Sequence, residues 1–231
     1  MVAALAAACA GVYARMEAAA RRAGRQSSEV RLMAVSKGFP RETVQAALSS
    51  GLTLFGENRV QEAEEKFIEL TAVCELHLIG HLQRNKSRTA AATFSCVQSI
   101  DRIETAAALD TRCAEFGSVM DVLLEMNTSG EQSKSGFLTR DELLRGLDVI
   151  GRFSHLRVKG LMTVGPLCDD NARIRAAFSL LRSLFEEIRS SGVNGFDTLS
   201  MGMSGDFEAA IEEGSTLVRI GTALFGPRQM R

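Results

Sequence analysis

Met33-Ala34-Val35-Ser36-Lys37 closes an apolar run that begins at Val30, and Gly38-Phe39-Pro40 breaks the chain directly after it. Val, Leu and Met before the break predict a short buried strand. Pro40 can open a helix, where its missing N–H costs nothing. Lys37 then stands at the carboxyl end of a strand, the end at which α/β proteins gather their chemistry. A lysine held partly out of water there favours its neutral amine, which can form a Schiff base with an aldehyde. The plainer alternative is a lysine whose stem lies along the strand end while its head reaches water. This stretch alone does not separate the two.

The same alternation of strand and helix runs outward in both directions. An alanine-rich amphipathic helix precedes the Lys37 strand, with Arg15, Glu17, Arg21 and Arg22 at helical spacing. Further strands are predicted at residues 52–56, 76–80, 94–100, 119–126, 156–162, 196–201 and 217–220. Helices are predicted at 40–50, stopped by Gly51, at 60–70, at 172–190 and at 207–213. Asp101 is placed to cap a helix, and Thr139 with Glu142 forms a capping box for another. Helix 172–190 carries Ile174, Phe178, Leu181, Leu184, Phe185 and Ile188 at three-and-four spacing. Strands separated by helices pair in parallel. About eight such units make an α/β fold of the closed (β/α)8 barrel type, with the first helix as an addition. An open doubly wound sheet is the alternative, but no G-x-G-x-x-G follows an early strand.

Composition agrees with that size. The chain has 231 residues, 45% hydrophobic and 24% charged, with net charge −1. One barrel domain over residues 1–231 is expected. Without a global positive field, neither nucleic acid nor an anionic membrane is expected as a partner. The five cysteines are scattered and odd in number, with no C-x-x-C pair, which argues against zinc and against a disulfide framework. A cytoplasmic protein with reduced thiols is the expectation. The N-terminal apolar stretch lacks a basic segment before it, so it is not read as a signal peptide, and no run is expected to reach the length of a membrane span.

In a barrel the strand ends and the loops after them form the active face. Lys37, Asn58, His77, Asn127, Thr163, residues 201–204 and Arg219 with Gly221-Thr222 occupy such positions. Ser204 is read as the N-cap of the helix after strand seven, whose exposed N–H groups can hold an anion. Gly221 lets the backbone approach a ligand closely. Loops after strands seven and eight are the usual phosphate position in these barrels. Each of these residues also has a structural reading, as a helix cap or a turn glycine. Arg219, flanked by Leu217, Val218 and Ile220, is costly to bury unless paired or serving a ligand. His77 fits a satisfied core histidine, and Glu62, Glu64, Glu65 and Lys66 are read as a solvated helix face. A phosphorylated aldehyde bound covalently accounts for the lysine and the phosphate loops together.

Several stretches joined in order resemble the pyridoxal-phosphate homeostasis protein family, single-domain relatives of bacterial alanine racemase. They are Ala34-Val35-Ser36-Lys37, Phe55-Gly56-Glu57-Asn58 with Val60-Gln61-Glu62, His77-Leu78-Ile79-Gly80-His81-Leu82-Gln83-Arg84-Asn85-Lys86, Gly160-Leu161-Met162, and residues 199–206 continuing through 214–222 to Phe225-Gly226. The resemblance implies a lysine Schiff base between Lys37 and pyridoxal 5′-phosphate, with Asn58 beside the cofactor. It implies that Ser204, Gly221 and Thr222 hold the phosphate and that Arg219 faces the pyridine nitrogen. It implies a role in vitamin B6 and amino-acid homeostasis, with pyridoxal-phosphate-dependent apoenzymes as partners and a monomer or weak dimer as the state. This chain departs from the pattern at Arg59, usually aromatic, and at Leu76, often Trp. The loop from Asn127 to Gly136 keeps Lys134 but has a less typical spacing.

Arginine stays protonated, so Arg219 cannot readily protonate the pyridine nitrogen, and an unprotonated ring is a weaker electron sink. A two-base racemase also needs an acid or base on the far face of the bound amino acid. In alanine racemase that group is a tyrosine from a further C-terminal domain. Here the only tyrosine, Tyr13, lies in the first helix, and the barrel closes just before Arg231. The reading is a carrier or buffer of the cofactor with little or no turnover. The alternatives are a racemase-like enzyme and a Schiff-base aldolase.

Overall fold

Strand β1 (Arg31–Val35) shows how the sequence lays out the molecule. Leu32 and Ala34 join the main core between sheet and helices, while Met33 and Val35 pack with Leu54, Leu217 and Ile79 in a separate cluster. Successive side chains of a strand point to opposite faces, so this second cluster is the filling of a barrel. Cys96, Leu123, Met162 and Val164 form another part of that filling.

The computed structural model describes residues 2–131 and 133–227. Helix α1 (Val2–Arg22) precedes β1. There follow α2 (Arg41–Ser49), β2 (Leu54–Glu57), α3 (Val60–Phe67), β3 (Glu75–Leu78), α4 (Ser87–Thr93), β4 (Cys96–Ile100), α5 (Ile103–Phe116) and β5 (Met120–Glu125). The chain continues through α6 (Arg140–Ile150), β6 (Leu156–Met162), α7 (Asn171–Ser190), β7 (Thr198–Ser200), α8 (Phe207–Glu212), β8 (Leu217–Ile220) and α9 (Thr222–Phe225). The strands pair in sequence order, all in parallel, and β8 closes on β1 with Leu32 opposite Val218 and Met33 opposite Arg219. The expected (β/α)8 barrel with an added N-terminal helix is the fold.

Several local expectations change. Strands β2, β3 and β7 start or stop away from the ends of their apolar runs, because a strand ends where its ladder partners end. Helices α4 and α9 were not anticipated. Asp101 does not cap α5: the cap position is Arg102, and Asp101 accepts from the Arg102 guanidinium at 3.1 Å instead. The Thr139 capping box is present as expected, with the Glu142 N–H donating to Thr139 Oγ1 and the Thr139 N–H to Glu142. α1, contrary to expectation, is long and apolar enough to cross a membrane by length and composition. Its stripe of Leu5, Cys9, Val12, Met16, Ala19 and Ala20 is buried against the barrel's helices. The cysteines are all free.

Candidate functional site

A cavity of about 200 Å³ opens where β1, β7 and β8 end. Lys37, Ser204, Arg219, Gly221 and Thr222 line it together, with Val35, Phe39 and Ile79 as apolar walls. Five of the six residues expected at the site therefore meet in one place. Asn58 is half-buried just after β2 and is not among the residues lining the cavity. It sits against Gly80 so closely that a Cβ on Gly80 would come within 2.2 Å of the Asn58 carbonyl oxygen. A larger groove of about 980 Å³ lies outside, among α1, α2, α3 and α9, and shares Phe39 with the cavity. It lacks Lys37, Arg219, Gly221 and Thr222, so the chemistry belongs to the smaller space.

Ser204 takes a different role from the expected one. The cap position of α8 is Asp206, two residues later, and no side chain caps that helix. The Ser204 hydroxyl instead accepts from the N–H groups of Gly221 and Ala223, at 3.3 and 3.2 Å. It reaches across to the turn after β8 and ties the two loops together. The loops after strands seven and eight are thus one wall of donors and hydroxyls, not two separate features.

Arg219 is 4% exposed, lines the cavity, and is anchored to the barrel interior by two of its five N–H donors. It donates through Nη1 to Ser200 Oγ and through Nη2 to the Thr163 carbonyl, both at 2.7 Å. A guanidinium can only donate, so the Ser200 hydrogen is left for Gln98 Oε1, at 2.7 Å. That orients the Gln98 amide, whose nitrogen then donates to His77 Nδ1 at 2.9 Å. In the neutral ring the remaining proton is at Nε2, which faces Glu75 at 3.6 Å. His77 is thus a satisfied core histidine, turned toward the start of β3. Burial lowers its pKa. Burial also pushes Arg219 down, to about 10, against the charges of Asp206 and Glu125. It remains a cation at neutral pH.

Glu125 ends β5 and is buried. Burial and then the Asp101 charge push it up to about 7, with Arg219 opposing. Asp101 in turn lies 3.2 Å from His81 Nδ1. Residues 119–126 read as an apolar strand, and the carboxyl lies within it. Of the two charged residues in that run, Asp121 and Glu125, Glu125 stands at the carboxyl end, where the active face begins. Lys66 differs from the solvated helix face expected of it. It is 6% exposed rather than solvated, and pairs with Glu57, which has no exposure at all. Val60, Ala63 and Phe67 define the buried face of α3, and Lys66 falls on that face by helical spacing. Lys134 bridges two loops, donating to the Gly165 carbonyl at 2.7 Å.

Comparison with known proteins places this geometry. The family model described as alanine racemase, N-terminal domain, matches residues 12–229. The pyridoxal phosphate homeostasis protein of Pseudomonas aeruginosa is 44% identical over 218 residues, covering 94% of this chain and 93% of that protein. A crystal structure of an unknown protein from Bifidobacterium adolescentis superposes with a TM-score of 0.91 at 37% identity, covering 97% of this chain and 95% of that one. PipY of Synechococcus elongatus PCC7942, solved with PLP bound, gives 0.77 at 34% identity, covering 86% and 93%. The chain belongs to the alanine racemase N-terminal domain family and, within it, to the pyridoxal phosphate homeostasis proteins.

Proposed function

We propose that this protein binds pyridoxal 5′-phosphate through a Schiff base to Lys37 and carries or buffers it, with little or no turnover. One observation carries the reading: a lysine, a buried arginine and a wall of small donors converge on one cavity. The residues fit the group. Lys37 supplies the amine for the aldehyde. The Ser204 hydroxyl, which accepts from Gly221 and Ala223 and keeps its own hydrogen, and Thr222 would supply donors for a phosphate, with Gly221 letting the backbone come close. The Val35 and Ile79 side chains would offer apolar surface to a ring, and Arg219, with N–H groups left over from its bonds to Ser200 and Thr163, would offer a donor to the ring nitrogen. Asn58 does not line the cavity and is assigned to the cofactor by the family resemblance alone. When bound, the cofactor supplies an electrophilic imine and a ring that can accept electrons. A cationic Arg219 cannot give that ring nitrogen a proton at neutral pH, which weakens its pull on electrons.

The relatives' name and the PLP-bound PipY structure support the cofactor. Residues 1–231 act as one cofactor-binding domain in this reading, of which the described residues form the barrel. Apoenzymes that need the cofactor are its partners, a monomer or weak dimer is its state, and the cytoplasm is its place, supported by five free thiols. A racemase-like reading needs a second proton-transfer group, and Glu125, whose carboxyl burial pushes up to about 7, is not among the residues lining the cavity.

The test is an absorption spectrum of purified protein, with borohydride reduction and mapping of the labelled lysine. A yellow, reducible adduct on Lys37 that Lys37→Ala abolishes is the expected outcome. Labelling of another lysine in the wild type rules the assignment out.

A further inference from the structure

Behind Lys37 lies a buried ionic cluster that the cofactor reading does not use. Its centre is the Lys66 ammonium. It donates to the Ser36 carbonyl at 2.8 Å, to Glu57 Oε1 at 2.7 Å and to Glu62 Oε1 at 2.8 Å. That uses all three of its hydrogens. Glu57 Oε1 also accepts from the Ser36 hydroxyl at 2.7 Å, and Glu62 Oε1 from the Gly38 N–H at 2.7 Å.

The topology of these bonds is specific to one residue. The Ser36 carbonyl belongs to the peptide plane before Lys37, and the Gly38 N–H to the plane after it. Peptide groups are rigid planes, so the only soft backbone rotations between these two anchors are the φ and ψ of Lys37. Gly38 adopts φ of +76°, a left-handed conformation that costs glycine little, and the chain turns there. The cluster therefore fixes the direction in which the Lys37 side chain leaves the backbone.

Stability alone is a poor reason for this arrangement. Two charges are taken out of water, and apolar side chains of similar volume commonly serve a fold as well or better. Glu57 Oε2 is buried with no hydrogen-bond partner among the described residues. Burial pushes the Glu57 carboxyl up against the pull of Lys66. For Glu62 burial also pushes upward, but the bonds from Lys66 and Gly38 outweigh it and hold the carboxyl below its usual range.

We propose that Lys66, Glu57 and Glu62 are positioning residues, an ionic clamp on both peptide planes of Lys37 that aims its amine at the aldehyde of the cofactor. The inference rests on Lys37 being the attachment point. In the step served, Lys37 Nζ attacks the aldehyde carbon, a C=N bond replaces the C=O bond, and the oxygen leaves as water with the two amine hydrogens. No oxidant or reductant is needed. The clamp touches neither cofactor nor reacting atoms; it sets the geometry of the nucleophile.

The experiment compares covalent with non-covalent occupancy of the same cavity. Cofactor-free wild type, Glu62→Ala, the double variant Glu57→Gln with Lys66→Met, and Lys66→Arg are each given pyridoxal 5′-phosphate. Schiff-base formation is followed by absorbance, with borohydride trapping and mapping at Lys37. Binding of pyridoxamine 5′-phosphate, which has ring and phosphate but no aldehyde, is measured in parallel. Misplacing a reacting group by about 1 Å can cost about a hundredfold. The expected result is at least a tenfold loss in the rate of adduct formation in Glu62→Ala and in the double variant. Pyridoxamine phosphate affinity should stay within about twofold, and Lys66→Arg should recover part of the rate. Glu62 is partly exposed, so its variant remains a test even if the double variant fails to fold. Wild-type rates in folded Glu62→Ala overturn the clamp while leaving Lys37 as the attachment point. An equal loss of pyridoxamine phosphate binding also overturns it, since the role is then merely structural. A wild type with no adduct on Lys37 overturns the attachment itself and the clamp with it.

Discussion

Substituting Glu125 by Gln should make the cofactor-free protein more stable, and only above acidic pH. The Glu125 side chain is 7% exposed at the end of β5. Its carboxyl rises from an ordinary 4.5 to about 7 through burial and then the neighbouring Asp101 charge. Between those two values the folded protein keeps a proton that the unfolded chain has already lost. Folding is therefore favoured by low pH, and this contribution is complete below 4.5 and gone above about 7. At 1.36 kcal/mol for each pH unit, the gap amounts to about 3 kcal/mol of instability imposed on the wild type at alkaline pH. Glutamine keeps the shape and carries no charge. Glu125→Gln should match the wild type near pH 4 and exceed it by up to about 3 kcal/mol near pH 8. Asp101→Asn should narrow the window by lowering the Glu125 pKa. Urea unfolding across that range measures the difference directly. A stability difference that is constant with pH, or that grows as pH falls, would refute the assignment of a raised pKa to Glu125.

Three further outcomes are expected. Ser204→Ala removes the hydroxyl that ties the β7 and β8 loops, and should weaken pyridoxal phosphate by about 1 kcal/mol, or more where the bond is charge-assisted; pyridoxal without its phosphate should bind far more weakly, and equal affinities would rule out the phosphate wall. Gly80→Ala places a Cβ 2.2 Å from the Asn58 carbonyl, so backbone must move, and a loss of about 1–3 kcal/mol in urea unfolding is expected. L- or D-alanine should not be interconverted at enzyme-like rates, which centre on about 10 per second; saturable racemisation with α-proton exchange in deuterated water, lost in Glu125→Gln, would turn the reading toward a racemase.

Chain order and periodicity determined much of this protein. Short continuous apolar runs, separated by amphipathic helices, admit parallel strands, and a regular succession of them closes into a barrel. A barrel in turn places the last residues of its strands on one face. Lys37, Arg219, Gly221 and Thr222 could be named as neighbours without coordinates because each lies in the last residues of a strand or just after it in one closed sheet. The Thr139 capping box was legible for the same reason: its bonds span only three residues.

What the sequence did not reveal depends on which side chains face each other across the molecule. The Ser204 hydroxyl serves a turn 17 residues away rather than its own helix. Ser200 and Gln98, 102 residues apart, meet inside the barrel and orient Arg219 and His77. Asp101 and Glu125 come close enough that the charge of one raises the pKa of the other. Lys66 reads as one more charge on a polar helix until α3 docks and its ammonium finds Ser36 and Glu57. Local patterns fix elements and their faces, since backbone geometry repeats along the chain. The partner of a buried charge is fixed only when tertiary packing removes water and leaves it one set of atoms to bond.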